Sequence, residues 1–296
     1  MKKLLFIFNP RSGREKIRTK LLDILDLFIK VGYEVSVHVT QAPGDAERKA
    51  GKMAERVDLL VCSGGDGTLN EVISGLMEHE REKRPLLGYI PAGSTNDFAV
   101  SLGLPKNIMK AAARTVVGAP FAIDVGRFGE NKYFVYVAAF GAFTDVSYKT
   151  PQETKNVLGH QAYMLEAVKQ AAGLKSYRMK FSWDGQSVED EFILGMVTNT
   201  ISIGGFKGLV QPEVALNDGE FEVMLVRTPR TPKDIQSIVG YLINKEEEHD
   251  CVYRFKTSQI LMESEKAVNW TLDGEYGGSV TEVCIENVRE AVVVRR

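Results

Sequence analysis

The feature of this sequence that most limits its fold is an apolar strand, a glycine turn and a helix in direct succession, from Leu59 to Val72. The turn reads Gly64-Gly65-Asp66-Gly67-Thr68. Glycines reach positive-φ conformations, so successive N–H groups of such a turn can converge on one anion. A carboxylate among these amides, Asp66, would repel a phosphate unless a divalent cation or an adjacent cationic group lay between them. The turn therefore predicts a nucleotide bound with Mg²⁺.

The same turn has a purely structural alternative, a tight connection in which Asp66 caps the next helix. It also departs from two known phosphate-binding patterns. The segment from Gly65 to Asn70 lacks the last glycine of the dinucleotide fingerprint, and the chain contains no Gly-x-x-x-x-Gly-Lys-Ser/Thr. From the turn alone, both interpretations stay open.

Composition argues against several classes of protein. The chain has 296 residues with a net charge of −2, so it has no overall attraction to nucleic acid or to an anionic membrane. An odd number of widely spaced cysteines indicates reduced thiols and a cytoplasmic setting. The four histidines have no cysteine at ligand spacing, which argues against zinc. No apolar stretch approaches the roughly 20 residues that span a bilayer, so we expect at most peripheral membrane contact.

The first 120 or so residues alternate short apolar runs with helical patterns, as a parallel sheet with crossover helices requires. One helical pattern, from about Glu15 to Val31, has a stripe of apolar side chains that includes Phe28 and Ile29 and predicts a core-facing surface. The predicted strands are Leu4 to Phe8, Glu34 to Val39, a run ending at Cys62, and Leu86 to Ile90, and the other helices are Asp45 to Glu55 and Leu69 to His79.

Three polar turns follow strands of this half, at Asn9 to Gly13, Gly64 to Thr68 and Gly93 to Asp97. The carboxyl ends of parallel strands lie on one edge of an open sheet, where ligands collect. We therefore expect the three turns to meet and to form a nucleotide site.

After about Asp124 the pattern changes to successive strand-like segments with only two substantial helical patterns, over 154–172 and 232–247. This change predicts an α/β domain over residues 1–124 and a second, mostly antiparallel domain over residues 125–296. The strand-like segments are Tyr133 to Ala139, Arg178 to Trp183, Glu191 to Thr198, Phe221 to Arg227 and Thr281 to Glu286.

Four motifs, taken in order, resemble those of the soluble bacterial diacylglycerol kinases. They are Asn9-Pro10-Arg11-Ser12-Gly13, Gly64-Gly65-Asp66-Gly67-Thr68-Leu69-Asn70-Glu71, Pro91-Ala92-Gly93-Ser94-Thr95-Asn96-Asp97-Phe98 and Leu272-Asp273-Gly274-Glu275. That family includes sphingosine and ceramide kinases and is more distantly related to NAD kinases and phosphofructokinases. The likeness extends to residues 159–163, Asn199-Thr200 with Gly204-Gly205, and Pro212 through Gly219, and so covers nearly the whole chain.

The resemblance implies a nucleotide-binding α/β domain, a C-terminal β-sandwich domain and an active site in the cleft between them. It also implies that Asp66 organises a catalytic Mg²⁺. The residues implied to hold ATP are Asn9, Pro10, Arg11, Ser12, Gly13, Thr40, Gly64, Gly65, Asp66, Gly67, Thr68, Leu69, Asn70 and Thr95.

By the same resemblance, the Asp-Gly-Glu near the C-terminus supplies the general base, Glu275. A hydroxyl that attacks a phosphoryl group must lose its proton as the new bond forms, and a nearby carboxylate can accept it. On residues alone, Leu272-Asp273-Gly274-Glu275 also fits a two-residue hairpin turn. Both interpretations can hold, because a rigid hairpin tip can carry a base.

The resemblance further implies a structural Mg²⁺ in the second domain, held by the Asp218 carboxylate with main-chain carbonyls near Ala215 and Glu220. Oxygen-only ligands suit such a cation, although Asn217-Asp218-Gly219 also fits a hairpin turn. The chain departs from many relatives at Val100, where they carry arginine, and at Phe206, where they carry a third glycine. These departures leave the contacts to the lipid headgroup open.

The resemblance thus predicts an ATP-dependent lipid kinase that phosphorylates the hydroxyl of diacylglycerol to give phosphatidic acid. Its partner would be a lipid reached by transient, peripheral membrane contact, and not a nucleic acid. Two rivals stay open: a kinase for another acceptor, such as a sphingoid lipid, NAD or a sugar phosphate, and a regulatory module that binds nucleotide without chemistry. The oligomeric state, including a homodimer, also stays open.

Overall fold

The computed structural model describes residues 1–12, 17–141, 175–203, 206–207, 214–231, 233–235, 237–238, 240 and 250–296. Several predictions lie outside these residues. They are the predictions for Gly13, Gly204, Gly205 and Pro212, for the segment 154–172 with its 159–163 motif, and for most of the segment 232–247.

The N-terminal half alternates strands and helices. Its strands are β1 (Lys2–Phe8), β2 (Tyr33–Val39), β3 (Leu59–Gly64) and β4 (Leu86–Pro91), and they pair in parallel in the order β4-β3-β1-β2. Its helices are α1 (Leu21–Lys30), α2 (Asp45–Met53), α3 (Asp66–Met77), α4 (Asp97–Ser101) and α5 (Ile108–Val117), with 3-10 turns at Arg18–Lys20, Ala54–Arg56 and Arg81–Lys83.

The central strands of this sheet are covered on both faces, which explains their continuous apolar runs. Along β1, Leu5 packs in the cluster that contains side chains of α2 and α3, whereas Leu4 packs in the cluster that contains those of α1 and α5. Successive side chains of a strand point to opposite faces. A buried strand with helices on both sides must therefore be apolar at every position.

The first helix differs from its prediction. It begins at Leu21, after the 3-10 turn Arg18–Lys20, and Ile24 and Phe28 are fully buried. Ile29, predicted to face the core, is 61% exposed. The predicted apolar stripe was too wide, because a helix that covers the side of a sheet buries only the positions directly above the strands.

The second half is rich in antiparallel strands. They are β5 (Pro120–Phe128), β6 (Lys132–Phe134), β7 (Val137–Gly141), β8 (Tyr177–Trp183), β9 (Gln186–Thr198), β10 (Ser202–Ile203), β11 (Phe206–Lys207), β12 (Phe221–Arg227), β13 (Val252–Thr257), β14 (Gln259–Leu272) and β15 (Glu275–Arg295). The strand predicted over Tyr133 to Ala139 is in fact two, β6 and β7. An aromatic core fills this half, with the rings of Phe140 and Trp270 5.0 Å apart.

The last strand joins the two halves. β15 pairs antiparallel with β14 and β5, and near its end it pairs in parallel with β4 through Val294 and Leu87. A bulge interrupts its pairing with β5 between Val288 and Val292. The buried Asp124 carboxylate holds this bulge by accepting a hydrogen bond of 2.6 Å from Glu290 N. The β14–β15 hairpin is thereby fixed to the sheet that carries the glycine turn.

All three cysteines are free thiols, as the sequence predicts, and Cys62 and Cys251 are buried. Within the ranges given above, no helix combines the length and the apolar character of a membrane span.

Candidate active site

The three polar turns meet at the carboxyl ends of the parallel strands, as predicted. Asn9 N donates a hydrogen bond of 2.9 Å to Ser63 O, and Ala92 N donates one of 2.8 Å to Gly64 O. Thr40 N donates to Phe8 O at 3.0 Å, so Thr40 lies beside the first turn. These backbone contacts bring the turns after β1, β3 and β4 together with the end of β2.

The second and third turns touch through their glycines. A Cβ atom on Gly93 would lie 2.5 Å from Gly65 Cα, and one on Gly64 would lie 2.4 Å from Thr68 Oγ1. Side chains at these positions would collide with their neighbours, so only glycine allows the approach. The expected positive φ is wrong, however: Gly65 has a φ of −86° and a ψ of −174°, and none of these glycines is left-handed.

The N-terminus of α3 is the element of this edge that could accept an anion. Leu69 N donates to Gly65 O at 3.2 Å, so the N–H groups of Asp66, Gly67 and Thr68 precede the first helical hydrogen bond. Such free amides, together with the helix dipole, form a ready site for phosphate. The side chain of Leu69 is buried in the core, which leaves only its backbone near this site.

Helix α3 begins at Asp66, three residues before Leu69, where the sequence predicts its start. The Asp66 carboxylate accepts hydrogen bonds from Asp97 N at 3.1 Å and from Phe98 N at 3.4 Å. Asp66 thus caps the neighbouring helix α4, and not the helix that it begins. Burial, followed by repulsion from the Asp97 carboxylate, raises the pKa of Asp66 to about 6.

The third turn is closed by Asn96, which has a positive φ of 56°. Its Oδ1 accepts from Gly93 N at 2.8 Å, and its Nδ2 donates to Gly93 O at 2.9 Å. Thr95 lies exposed within this closed turn. In the first turn, Asn9 Oδ1 accepts from Arg11 N at 2.9 Å, and Ser12 N donates to Asn9 O at 3.3 Å, which folds Pro10 and Arg11 into a tight loop.

Asp273 is a buried centre of hydrogen bonds that the sequence analysis did not single out. Its Oδ1 accepts from the N–H groups of Tyr136 at 2.9 Å and Val137 at 3.0 Å. Its Oδ2 accepts from Val135 N at 2.7 Å and from Asn70 Nδ2 at 2.8 Å. Burial raises the pKa of Asp273 to about 6, although these four donors act to lower it. Only its place in the Leu-Asp-Gly-Glu motif could have drawn attention to it.

Glu275 begins β15 and is exposed. A Cβ atom on Gly67 would lie 3.9 Å from Glu275 Oε1, so the carboxylate faces the glycine turn. Beside it, burial and then the Asp273 carboxylate raise the pKa of Tyr136 above its usual value, which keeps this phenol neutral. The hairpin tip thus presents to the first amides of α3 a carboxylate that has no hydrogen bond or ion pair with any residue that the structure describes.

The side chain of Asn70 connects the two halves, and its contact with nucleotide stays a prediction. Besides its bond to Asp273, Nδ2 donates to Tyr133 O at 3.0 Å. The following residue, Glu71, caps α2 by accepting hydrogen bonds from Gly44 N at 2.8 Å and Ala46 N at 3.1 Å. Asn70 and Glu71, the last two residues of the glycine-turn motif, therefore stabilise the fold around the site.

The charges of the site suit a divalent cation. Asp273 is buried and Asp66 is half-buried, and the Asp273 carboxylate adds to the negative charge around Asp66. Neither carboxylate forms an ion pair with any described residue. Mg²⁺ is usually held by one or two carboxylates together with phosphate oxygens and water. A cage of three or more acidic, histidine or cysteine side chains is absent from the described residues. The Asp66 carboxylate therefore fits a cation that a nucleotide would bring.

The residues predicted to hold a metal in the second half form contacts within the chain. Asp218 Oδ2 lies 3.3 Å from Lys256 Nζ, and Asp218 Oδ1 accepts from Glu220 N at 3.1 Å. Next to Ala215, Leu216 O accepts from Asp124 N at 2.8 Å. These contacts do not test cation binding at Ala215, Asp218 and Glu220, which stays a prediction.

A cluster of hydroxyl groups, which the sequence analysis missed, ties α4 to the segment after β9. Ser202 Oγ donates to Asp97 Oδ1 at 2.7 Å, and Ser101 Oγ lies 2.6 Å from Thr200 Oγ1. Because Asp66 caps α4, this cluster connects the proposed cation ligand to the second half of the molecule.

Comparison with known proteins agrees with this architecture. The diacylglycerol kinase catalytic domain matches residues 3–128, and the YegS C-terminal NAD kinase beta sandwich-like domain matches residues 139–294. The protein named diacylglycerol kinase in Bacillus subtilis (strain 168) is 36% identical over 99% of this chain and 96% of its own. That of Staphylococcus aureus (strain MRSA252) is 35% identical over 94% of this chain and 88% of its own.

Solved structures show the same fold over the whole length. The crystal structure of a diacylglycerol kinase from Bacillus anthracis str. Sterne superposes with a TM-score of 0.78 at 26% identity, and covers 99% of this chain and 96% of that one. A second structure from the same strain gives a TM-score of 0.84 at 29% identity with the same coverage. With its catalytic domain followed by a β-rich domain, and with full-length relatives above 30% identity, the chain belongs to the bacterial diacylglycerol kinase family.

Proposed function

We propose that this protein transfers the γ-phosphoryl group of ATP to the free hydroxyl of diacylglycerol, giving phosphatidic acid. Membership of a kinase family supports the reaction, and the names of the full-length relatives support the acceptor. The observation that carries the proposal is the free Glu275 carboxylate facing Gly67. It sets a proton acceptor opposite an anion-binding helix terminus, which is the arrangement that phosphoryl transfer to a hydroxyl needs.

In this proposal the triphosphate binds to the N–H groups of Asp66, Gly67 and Thr68, with the turns at Asn9 to Ser12 and at Gly93 to Thr95 on either side. Asp66 holds Mg²⁺, which when bound neutralises negative charge on the phosphates. The role of Asp97 N and Phe98 N is to keep the Asp66 carboxylate in one orientation through their hydrogen bonds. Rate then comes mainly from positioning and electrostatics.

Glu275, and not Asp273, takes the proton of the attacking hydroxyl. Asp273 already accepts four hydrogen bonds and is buried, so an incoming hydroxyl would have to displace a backbone amide. Glu275 is exposed two residues away, and its carboxylate can reach a substrate. We assign Asp273 the task of holding the hairpin in place.

The acceptor is the least constrained part of the proposal. A lipid acceptor requires transient contact with a membrane from the cytoplasmic side, and the residues that contact its headgroup are open. Because one matched domain carries NAD kinase in its description, NAD is the soluble acceptor to test beside the lipids.

The experiment supplies radiolabelled ATP and Mg²⁺ to the purified protein together with diacylglycerol, a sphingoid base or NAD. It measures label in lipid in the organic phase and in phosphorylated NAD in the aqueous phase. We expect labelled phosphatidic acid from diacylglycerol. Glu275→Gln should lower kcat by about 100- to 10,000-fold. The matched control is Glu282→Gln, since Glu282 is also an exposed glutamate of β15 and should leave kcat unchanged.

Four outcomes count against the proposal. Label that enters only NAD would make the protein a kinase for a soluble acceptor, and label that enters the sphingoid base alone would change the lipid. ATP binding without turnover on any acceptor would make it a regulatory module. A Glu275→Gln variant with normal kcat would remove the base assignment.

A further inference from the structure

Tyr136 is a buried tyrosine whose hydroxyl has no hydrogen-bond partner in the described part of the chain. The residue is 7% exposed and lies between β6 and β7. Its backbone is held on both sides, since Tyr136 N donates to Asp273 Oδ1 at 2.9 Å and Tyr136 O accepts from Asn199 N at 3.0 Å. No described group bonds to the phenol oxygen. Most buried polar side-chain atoms are hydrogen-bonded, so an unpaired one needs an explanation.

The phenol oxygen lies beside the hairpin tip that carries the proposed base. A Cβ atom on Gly274 would lie 3.8 Å from this oxygen, and Gly274 directly precedes Glu275. Burial raises the pKa of Tyr136 most, followed by carboxylates that include Asp66 on α3 and Glu275 on the hairpin. The hydroxyl therefore lies within reach of charges from both sides of the gap between α3 and the hairpin.

The charged groups that act on this hydroxyl are negative. Four carboxylates raise the pKa of the phenol, those of Asp273, Asp66, Asp97 and Glu275. Ionised carboxylates only accept hydrogen bonds, and they repel phosphate, so they offer nothing to a phosphoryl oxygen. A neutral phenol offers a donor without a negative charge. Tyr136 can thus supply from the hairpin side what the free amides of α3 supply from the other side.

We propose that the Tyr136 hydroxyl donates a hydrogen bond to an oxygen of the transferring γ-phosphoryl group, opposite the first amides of α3. The inference rests on the proposed function, because it concerns the same phosphoryl group in the same gap. A donor that the fold already holds in place stabilises negative charge in the transition state without reorganisation. The two backbone hydrogen bonds of Tyr136 hold it in this way.

The phenol takes no part in the proton transfer of the reaction. The oxygen of the acceptor hydroxyl forms a new bond to the γ-phosphorus, and the bond from that phosphorus to the bridging oxygen breaks. ADP leaves with the electron pair of the broken bond, and Glu275 accepts the proton of the acceptor hydroxyl. Tyr136 keeps its own proton throughout and acts only as a hydrogen-bond donor.

The first experiment is Tyr136→Phe, which removes one oxygen atom and keeps the ring in the core. We expect kcat to fall by about 100-fold, as for the loss of one donor to a transition-state oxyanion. The KM for ATP should change by less than about 3-fold, because the lost interaction acts mainly in the transition state. Thermal melting should occur at the same or a higher temperature, because an unpaired buried hydroxyl destabilises the fold. Kinetics use whichever of diacylglycerol, sphingoid base or NAD the wild type phosphorylates.

The second experiment needs no acceptor. Calorimetry measures the affinity for MgADP with and without fluoroaluminate, a mimic of the transferring phosphoryl group. Tyr136→Phe should keep the affinity for MgADP and lose about 10-fold or more of the increase that fluoroaluminate gives. The matched control is Tyr33→Phe, since Tyr33 is 8% exposed and begins β2, at the end of the sheet away from the glycine turns. This control should keep kcat and both affinities.

The outcomes separate this inference from the proposed function. A normal kcat in Tyr136→Phe, or an unchanged effect of fluoroaluminate, would overturn the inference while the labelled product still supports the proposed function. Equal losses in Tyr33→Phe, or a lower kcat together with a lower melting temperature, would make the role of the hydroxyl structural and overturn it as well. If the wild type phosphorylates no acceptor, the proposed function fails, and an effect of fluoroaluminate that depends on Tyr136 would still support the inference. A wild type with neither turnover nor this effect would overturn both.

Discussion

Asn70 Nδ2 lies 2.8 Å from Asp273 Oδ2, and this hydrogen bond joins the helix after the glycine turn to the hairpin that carries Glu275. The two residues are 203 positions apart in the chain. Asp273 in turn accepts from three consecutive backbone amides at the start of β7, those of Val135, Tyr136 and Val137. One buried carboxylate and the side chain of one asparagine therefore connect the first amides of α3, the proposed phosphate site, to the hairpin that carries the proposed base.

Asn70→Leu should weaken both the fold and catalysis. The variant keeps the volume of the side chain but removes one donor from a buried carboxylate, which we expect to lower the free energy of unfolding by about 1–3 kcal/mol. Because Glu275 would be held less firmly, kcat should fall by about 10- to 100-fold. Urea unfolding and steady-state kinetics measure the two effects.

A control for Asn70→Leu is Asn107→Ala, which removes the side chain that caps α5 through Lys110 N. It should cost about 1 kcal/mol of stability and leave kcat unchanged. Equal losses of kcat in the two variants would mean that activity follows stability alone, and that Asn70 does not position the base.

Two glycines of the site should respond differently to alanine. In Gly93→Ala the new methyl group would lie 2.5 Å from Gly65 Cα, so two backbones must separate. We expect a loss of about 1–3 kcal/mol in stability, together with a higher KM for ATP. In Gly67→Ala the nearest described atom is Glu275 Oε1 at 3.9 Å, so stability should be kept while kcat falls, because the methyl group enters the gap in front of the base.

Thermal melts and ATP titrations distinguish these two outcomes. A destabilised Gly67→Ala would show that the turn needs glycine there for its backbone conformation. A Gly93→Ala variant with normal stability would show that the second and third turns do not pack as closely as the structure has them.

The sequence predicts the residues of the site better than it predicts the strand pairings that hold those residues in place. The strand ends and polar turns at Asn9, Gly64 and Gly93 are local patterns, and the rule that parallel strands end on one edge is enough to bring them together. The sequence pattern led to the wrong physical reason for the glycines of these turns, a positive φ angle. Close backbone approach at Gly65 and Gly93 depends on a neighbour 28 residues away, whereas the left-handed turn expected from the local pattern does not form.

The strands that support the site pair between residues far apart in the chain. Only Thr281 to Glu286 was predicted as a strand, yet β15 runs from Glu275 to Arg295 and ends beside β4. Its charged and apolar residues do not alternate regularly. The strand pairs with β5 on both sides of its bulge, but on its other edge it pairs with β14 before the bulge and with β4 after it. No local pattern reveals that a C-terminal strand completes the N-terminal sheet.

Ser202 should contribute to stability through Asp97. Its hydroxyl donates a hydrogen bond of 2.7 Å to a carboxylate that is almost fully buried. Ser202→Ala removes that donor and should lower the free energy of unfolding by about 1–3 kcal/mol, whereas Ser202→Thr keeps the hydroxyl and should restore most of it. Ser279→Ala, at an exposed position of β15, is the control and should change stability by less than about 0.5 kcal/mol. Urea unfolding of the four proteins is the measurement, and a Thr variant no better than Ala would argue against the hydrogen bond.

The raised pKa of Asp273 should make stability depend on pH with a defined sign. Burial raises this pKa from 3.8 to about 6 in the folded protein, so the folded state binds the proton more tightly than the unfolded state does. Binding of this proton therefore stabilises the folded state most below about pH 4, and the stabilisation is lost as the pH rises through 6. The free energy of unfolding should change by about 3 kcal/mol over this range. Asp273→Asn does not titrate, so the free energy of unfolding of the wild type minus that of the variant should decrease between pH 4 and 7.

Urea unfolding of both proteins at several pH values in that interval measures this difference, and Glu282→Gln serves as a variant at an exposed position whose difference from the wild type should stay flat. A difference that increases with pH would mean that the four N–H donors outweigh burial and hold the Asp273 carboxylate ionised. Since the same donors fix the hairpin, that result would leave the positioning of Glu275 intact and would change only the charge state in which Asp273 performs it.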